Sequence, residues 1–211
     1  MNLWLSSCFL VAKLFLIASA LTPEECQTKV TPLSLDDRST MYGRWTFIMG
    51  YTDSDAFNII LKHTESSWMN VTPSSSPNED VVSQEEKLNG TCFPSTVNVT
   101  YDGNIALMSI ANLTSKFHVL PSSVGCLVMS INSTIRDLDK ILDALKIDRT
   151  VTGDEIKLQA VYFMCREPTL KDSDLGLFKQ QASCLGFSRD PDFLYDPKND
   201  FCAEGEGVRL F

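Results

Sequence analysis

The chain has 211 residues, 44% apolar and 21% charged, which suits one globular domain and excludes a disordered acidic tail. Its 27 acidic residues outnumber the 18 basic ones, and the net charge of -9 excludes a basic nucleic-acid-binding protein and disfavours binding to an anionic membrane. Only two histidines, His63 and His118, are present. The sequence therefore offers no His-based catalytic or metal site, and we expect no metal and no cofactor.

The N-terminus carries the features of a secretory signal. Residues 10–17 are mostly apolar, and Ala18-Ser19-Ala20 has the small-x-small form that signal peptidase cleaves. This pattern predicts a signal peptide over residues 1–20 and a single domain over residues 21–211. Lys13 interrupts the apolar run and no basic residue precedes it, so an uncleaved anchor is the alternative. We expect an extracellular protein of plasma or another body fluid, without stable membrane insertion.

Six cysteines remain after residue 20, and none of them forms a C-x-x-C pair. They are Cys26, Cys92, Cys126, Cys165, Cys184 and Cys202. An even number of cysteines in a secreted chain predicts three disulfides.

Five N-x-Thr sequons predict a heavily glycosylated surface. Their asparagines are Asn70, Asn89, Asn98, Asn112 and Asn132. A glycosylated asparagine must face solvent, so these positions also constrain which way each strand faces.

Short runs rich in β-branched and aromatic residues alternate with turn residues along most of the chain. They predict eight strands over residues 44–51, 68–72, 81–87, 96–101, 105–110, 117–120, 126–131 and 155–165. Asp102 and Gly103 are taken as the turn of the fourth hairpin connection. Eight strands at near-regular spacing indicate an all-β fold, an antiparallel up-and-down barrel.

Two apolar stripes at helical spacing interrupt the strands. The first comprises Leu138, Ile141, Leu142 and Leu145, and predicts a short helix in the last hairpin loop. The second comprises Leu175, Phe178, Ala182 and Leu185, and predicts a C-terminal helix against the outside of the barrel.

Outward-facing sequons fix which residues of the strands face inward. Pairing Cys126 opposite Cys165 places Asn132 opposite Gln159, both outward, so one register satisfies both constraints. The expected cavity residues are Phe47, Met49, Met69, Val71, Val97, Val99, Tyr101, Ile105, Leu107, Phe117, Leu127, Met129, Ile131, Leu158, Ala160 and Tyr162. A barrel of this size holds one small ligand or is filled by its own side chains, and both readings stay open.

Gly43-Arg44-Trp45, which opens the first strand, resembles the G-x-W signature of the lipocalins. Residues 89–92 and 97–103 resemble the middle segment of the orosomucoids (α1-acid glycoproteins), and residues 182–202 resemble their C-terminal segment. The six-cysteine pattern is similar to that of the apolipoprotein M group. Length, sequon density and the region around Trp45 are most similar to fish plasma lipocalins described as binding tributyltin or saxitoxin and tetrodotoxin.

The resemblance implies a lipocalin barrel and assigns roles to specific residues. It implies Cys26–Cys184 and Cys92–Cys202 bridges, which leave Cys126 for Cys165. It also implies that Arg166 covers Trp45 at the closed end of the barrel, a structural pair with Gly43 beside it. The second lipocalin motif is missing, because residues 122–125 read Ser-Ser-Val-Gly.

The lipocalin resemblance places residues 52–62 and 133–154 at the open mouth. We hypothesise that the 138–145 helix partly covers the cavity; a helix folded against the outer wall is the alternative. Candidate polar anchors are the hydroxyls of Tyr101 and Tyr162, with Asp53 and Asp55 at the rim.

The sequence favours a monomeric secreted glycoprotein that binds a small hydrophobic or amphiphilic ligand for transport, sequestration or detoxification, and cationic or toxic molecules are among the candidate ligands. An immunomodulatory glycoprotein that acts through its glycans or loops is the alternative. Catalysis by a cavity cysteine is disfavoured because all six cysteines are expected in bridges.

Overall fold

Eight antiparallel strands close into a barrel in the computed structural model, which describes residues 21–148, 151, 153–169 and 171–209. The strands are β1 (Gly43–Thr52), β2 (Thr64–Pro73), β3 (Glu79–Leu88), β4 (Thr91–Asp102), β5 (Ile105–Ile110), β6 (Leu113–Leu120), β7 (Cys126–Arg136) and β8 (Glu155–Cys165). Each strand pairs with the next, and β1 closes the barrel by pairing with both β2 and β8. The predicted up-and-down barrel is confirmed; the predicted signal peptide lies outside the described residues.

Within the described residues, four α-helices accompany the barrel: α1 (Pro23–Val30), α2 (Asp55–His63), α3 (Leu138–Ala144) and α4 (Asp172–Cys184). The apolar stripes predicted α3 and α4. The sequence pattern did not predict α2, which occupies a segment expected to be a mouth loop. Its N-cap Ser54, which accepts a hydrogen bond from the Phe57 amide, was the available signal. No helix in the described part of the chain is long and apolar enough to cross a membrane.

Strands β7 and β8 adopt the register that the sequons predicted. Cys126 pairs with Cys165, and Asn132 pairs with Gln159. The Cys126–Cys165 bridge joins these strands across a Cα–Cα distance of 4.0 Å. Two further bridges, Cys26–Cys184 and Cys92–Cys202, tie α1 to α4 and the C-terminal tail to β4.

Met49 does not face the cavity, in contrast to the prediction. A β-bulge at Ile48 makes Phe47 pair with Met164 and Met49 pair with Phe163. The extra residue reverses the alternation of the strand, so Met49 packs into the outer cluster beneath α4. Gly50 then faces inward, where a Cβ would lie 2.5 Å from the Phe47 ring.

Ile105 and Leu107 also fall outside the cavity wall. The hairpin turn is Gly103–Asn104 and Asp102 still belongs to β4, so Asp102 pairs with Ile105 and Tyr101 pairs with Ala106 rather than with Ile105. A one-residue change in register moves every side chain of a strand to the opposite face. Alternate residues of β5, namely Ala106, Met108 and Ile110, therefore line the interior.

Trp45 and Arg166 close one end of the barrel. The indole is 3% exposed and donates to the Met41 carbonyl at 2.7 Å. The Arg166 guanidinium lies 3.5 Å from the ring centroid. It also donates to the carbonyl oxygens of Thr40, Tyr42 and Arg44. Arg166 thus joins the last strand to the segment that enters the first one.

The outer wall of the barrel is covered by α4. Phe178 is fully buried and its ring stacks on Phe163 of β8, with centroids 5.0 Å apart. Tyr51 of β1 packs against the same helix and against Phe187. A short ninth strand, β9 (Phe193–Leu194), pairs with Met49 and Gly50 of β1. The bulged half of β1 therefore serves the outer core rather than the cavity.

Replacing Arg166 by Ala tests the role of this closure. We expect the variant to lose about 2–4 kcal/mol of unfolding free energy, because it removes a cation–π contact and leaves three carbonyls without their donor. Urea denaturation measures the loss. Lys179→Ala on the exposed face of α4 is the control and should change stability little; equal effects of the two variants would contradict the closure role.

Candidate functional site

The barrel encloses a cavity of about 290 Å³ whose wall is mainly apolar. Of the sixteen residues expected there, those that line it are Phe47, Met69, Val71, Val97, Val99, Tyr101, Phe117, Leu127, Met129, Ile131, Leu158, Ala160 and Tyr162. Met49 lies outside the cavity because of the bulge in β1, and Ile105 and Leu107 lie outside it because of the register between β4 and β5. The interior is thus a space bounded by several strands and not a fully packed core.

Two helices lie over the mouth. α2 contributes Phe57, Ile60 and Leu61 to the cavity lining, and α3 contributes Leu138 and Ile141. Except for Leu61, the buried apolar residues of both helices belong to one cluster with residues of β3, β4, β7 and β8, and Leu142 in this cluster is fully buried. Of the two placements considered for the 138–145 helix, the structure shows it at the mouth. We call α2 and α3 together the roof.

Tyr101 sits at the closed end and is already hydrogen-bonded. Its hydroxyl donates to Asp80 Oδ2 at 2.8 Å, and Arg38 Nε donates to the same oxygen at 2.9 Å. Burial raises the pKa of Tyr101, and the adjacent Asp80 carboxylate raises it further. Since its proton is committed to Asp80, the Tyr101 hydroxyl is not a free donor for a ligand.

A polar stripe crosses the inner face of β2, β3 and β4. Ser67 pairs with Glu86, and Gln84 pairs with Ser95; all four line the cavity. Gln84 Nε2 donates to Glu86 Oε1 at 3.0 Å. We call Ser67, Gln84, Glu86 and Ser95 the polar stripe.

Glu86 is a carboxylate enclosed by the barrel. Burial raises its pKa above the ordinary value for glutamate, and the hydrogen bond from Gln84 offsets only part of this. No basic side chain lines the cavity in the described part of the chain. Sequence reasoning missed this residue because residues 81–87 carry polar side chains on both faces of the strand. Only the pairing with β2 and β4 reveals which of them point inward.

Tyr162 of β8 is a further polar group on the cavity wall. Burial raises its pKa, and the negative charge of Glu86 raises it further. Within the described residues its hydroxyl forms no protein hydrogen bond, unlike that of Tyr101. Tyr162 therefore remains the better of the two tyrosine anchors predicted from the sequence.

The predicted acidic rim residues lie at the mouth but do not line the cavity. Asp53 Oδ1 accepts from the Gln159 amide at 2.7 Å, and Asp55 begins α2. Both side chains are exposed. They can influence a ligand only at a distance, through the electrostatic potential around the mouth.

The sequon asparagines lie on the outside of the barrel or on its turns. Asn89, Asn98, Asn112 and Asn132 are exposed, and Asn70 is half-buried. In the described residues, the one metal-capable cluster is Cys92, Cys202 and Glu206, and both of its sulfurs are in a disulfide. The site thus offers apolar contact, a carboxylate and hydroxyls.

No protein-family model and no curated protein matches this chain. Solved structures do. The siderocalin Ex-FABP, described as having dual ligand specificities, is 14% identical with a TM-score of 0.56, over 75% of this chain and 95% of that chain. A further siderocalin, described with a dual ligand binding mode, is 15% identical with a TM-score of 0.57, over 80% and 96%.

The bovine lipocalin allergen Bos d 2 is 15% identical with a TM-score of 0.51, over 71% of this chain and 88% of that chain. At such low identity these likenesses establish the fold alone. The chain therefore has the lipocalin fold, an eight-stranded calyx flanked by a C-terminal helix.

The buried Glu86 predicts a specific pH dependence of stability. Its folded-state pKa is raised, so its contribution is complete below the unfolded pKa of about 4.3 and is lost as pH rises through the folded value. In Glu86→Gln this loss should disappear. Melting temperatures measured from pH 4 to 8 test it against Glu167→Gln, an exposed control. A pH profile of Glu86→Gln parallel to that of the wild type would refute the assignment.

Proposed function

We propose that this protein is a secreted glycoprotein that binds and carries a small amphiphilic molecule in the barrel cavity. The observation that carries this proposal is the cavity itself: apolar over most of its wall, with one enclosed carboxylate, Glu86, on the polar stripe. Ligand sites typically combine a large apolar surface with a few placed polar groups.

The volume of the cavity restricts the size of the ligand. At about 290 Å³ it lies near the lower end of the usual range for ligand pockets, which begins at about 300 Å³. The lower part of the barrel, around Val71, Val99 and Leu127, offers only apolar contact. We infer a compact molecule whose apolar body lies at the closed end and whose polar group reaches the stripe.

The chemistry of the stripe favours a cationic or hydrogen-bond-donating group. An enclosed carboxylate without a counter-charge is costly, and a bound cation would compensate it. The Tyr162 hydroxyl, which also lines the cavity, can serve as a further hydrogen-bond partner. The net charge of -9 and the exposed acids at the mouth would attract such a cation from solution.

Secretion and glycosylation are part of the same proposal. Three disulfides, an apolar leader-like segment at residues 1–20 and outward-lying sequon asparagines support an extracellular protein. The resemblance to orosomucoids and to toxin-binding fish plasma lipocalins supports sequestration or detoxification as its purpose. Every cysteine in the described chain is in a bridge, so a thiol-dependent reaction is not proposed.

A second role acting through glycans is compatible with ligand carriage. The four exposed sequon asparagines support it, because glycans there would be accessible to partners. An immune effect lost on enzymatic deglycosylation, with ligand binding retained, would separate it from carriage.

Filling the cavity should abolish binding. Ala160 is 1% exposed and lines the cavity, whereas Lys157 lies on the outer side of the same strand. We expect Ala160→Phe to weaken binding of N-phenyl-1-naphthylamine, an apolar fluorescent probe, by at least about tenfold. Lys157→Phe should bind normally. If both variants and the wild type bind equally, or if none binds, ligand carriage in the cavity is refuted.

Cationic selectivity should depend on Glu86 and on pH. A hydrophobic alkylammonium ion should displace the probe more strongly than the alcohol of equal chain length, and Glu86→Gln should remove most of this difference. Since protonation of Glu86 removes its charge, the selectivity should fall as the pH is lowered through its raised pKa. Competition titrations at several pH values measure it; selectivity unchanged in Glu86→Gln would exclude the carboxylate as anchor.

A further inference from the structure

One seam of the barrel is incomplete. β4 pairs with β3 along its whole length, from Thr91 to Thr100, but with β5 only from Val99 to Asp102. The β5–β6 hairpin ends at the Ala111–Asn112 turn and joins β7 instead. In the described chain, the upper part of β4 thus has a strand partner on one side only.

Two backbone features of β4 are compatible with an unpaired edge. Pro94 has no amide hydrogen and cannot donate to a neighbouring strand, which is tolerated only at an edge. The Cys92 carbonyl, whose backbone groups point to the same side as those of Pro94, accepts from the amide of Val208 in the tail at 2.9 Å. Residues 96 and 98 share this direction, because backbone polar groups alternate along a strand.

The free edge borders the cavity directly. Pro94 and Ser95 of β4 line the cavity on one side of the seam, and Ile110 and Leu113 of the hairpin line it on the other. Thr96, Ala111 and Asn112 around them are exposed. We call the gap between residues 92–98 of β4 and residues 110–113 of the hairpin the lateral slit.

The mouth, in contrast, is closed by packing. Passage there would require separating the roof helices from the upper strands, with Ile60, Leu138 and Leu142 all under 8% exposed. At the slit no strand ladder joins the two sides. In addition, none of the three disulfides restrains the β5–β6 hairpin, since they lie on β4, on β7 and β8, and between α1 and α4.

We propose that ligand reaches and leaves the cavity through the lateral slit, by outward movement of the β5–β6 hairpin, and not through the mouth. This inference rests on the proposed ligand carriage. The slit thereby acts as the gate of the cavity, and the roof as a fixed wall.

A cross-link across the slit tests the gate. Continuing the β4–β5 register places Thr96 opposite Ala111, and both are exposed. In Thr96→Cys/Ala111→Cys, a short bismaleimide is added after folding, and the probe N-phenyl-1-naphthylamine is followed by stopped-flow fluorescence. We expect association and dissociation both to slow by at least about tenfold, with Kd nearly unchanged, because a gate alters rates and not the equilibrium.

The same linker in Leu107→Cys/Lys116→Cys is the matched control. These residues already pair within the hairpin, so their cross-link should leave both rates at the wild-type value. The double variants before linking must bind the probe like the wild type, which shows that the fold is intact.

Wild-type rates in the cross-linked slit variant, or equal slowing in the control, would overturn the gate while leaving ligand carriage in place. Failure of the wild-type protein to bind the probe would instead overturn the proposed function, and the gate with it.

Discussion

The stacking of Arg166 on Trp45 is the contact on which the rest of the barrel depends. Arg166 follows β8 and Trp45 lies in β1, so the pair joins the two strands that must meet for the sheet to close. The guanidinium also holds three carbonyls of the entering segment. Gly43 makes this approach possible, because its φ of +95° is unfavourable for other residues and a Cβ there would lie 2.9 Å from Arg166 Nη1. These contacts close one end of the barrel, so the interior is a cavity and not a channel.

The cavity can hold a small molecule because the inward-facing side chains of the strands do not fill it. Alternating strands place apolar side chains inside on nearly every wall, and this alone would favour a packed core. The polar stripe of β3 departs from that pattern. A folded protein gains nothing in stability from enclosing Glu86, since burial disfavours its charged form. This unfavourable burial is the reason that Glu86 is proposed as the polar contact of a ligand.

Restraint is distributed unevenly around this site. The Cys126–Cys165 bridge holds β7 to β8, the Cys26–Cys184 bridge holds the two outer helices together, and Cys92–Cys202 holds the tail on β4. The roof is held by apolar packing. The β5–β6 hairpin has no bridge and only a partial ladder to β4, whereas β6 pairs with β7 along its whole length, so the side of the hairpin that faces β4 is the less restrained one.

The sequence by itself determined the number of strands, the up-and-down order and the β7–β8 register. Two independent constraints, a cysteine pair and an outward asparagine, agreed on that register. Strand periodicity was sufficient for most of the cavity wall because one face of each strand is buried. It also located α3 and α4, whose apolar stripes are distinct.

Only the tertiary structure decided the remaining features, because each depends on a neighbour. The bulge at Ile48 that turns Met49 outward is set by how β1 pairs with β8. The face of β5 that points into the cavity is set by its pairing with β4, in which Ala106 lies opposite Tyr101. Likewise, the enclosed position of Glu86 follows from the partners of a strand whose own sequence is polar on both faces. Local pattern fixes which residues alternate, but long-range pairing fixes which side of the alternation faces the cavity.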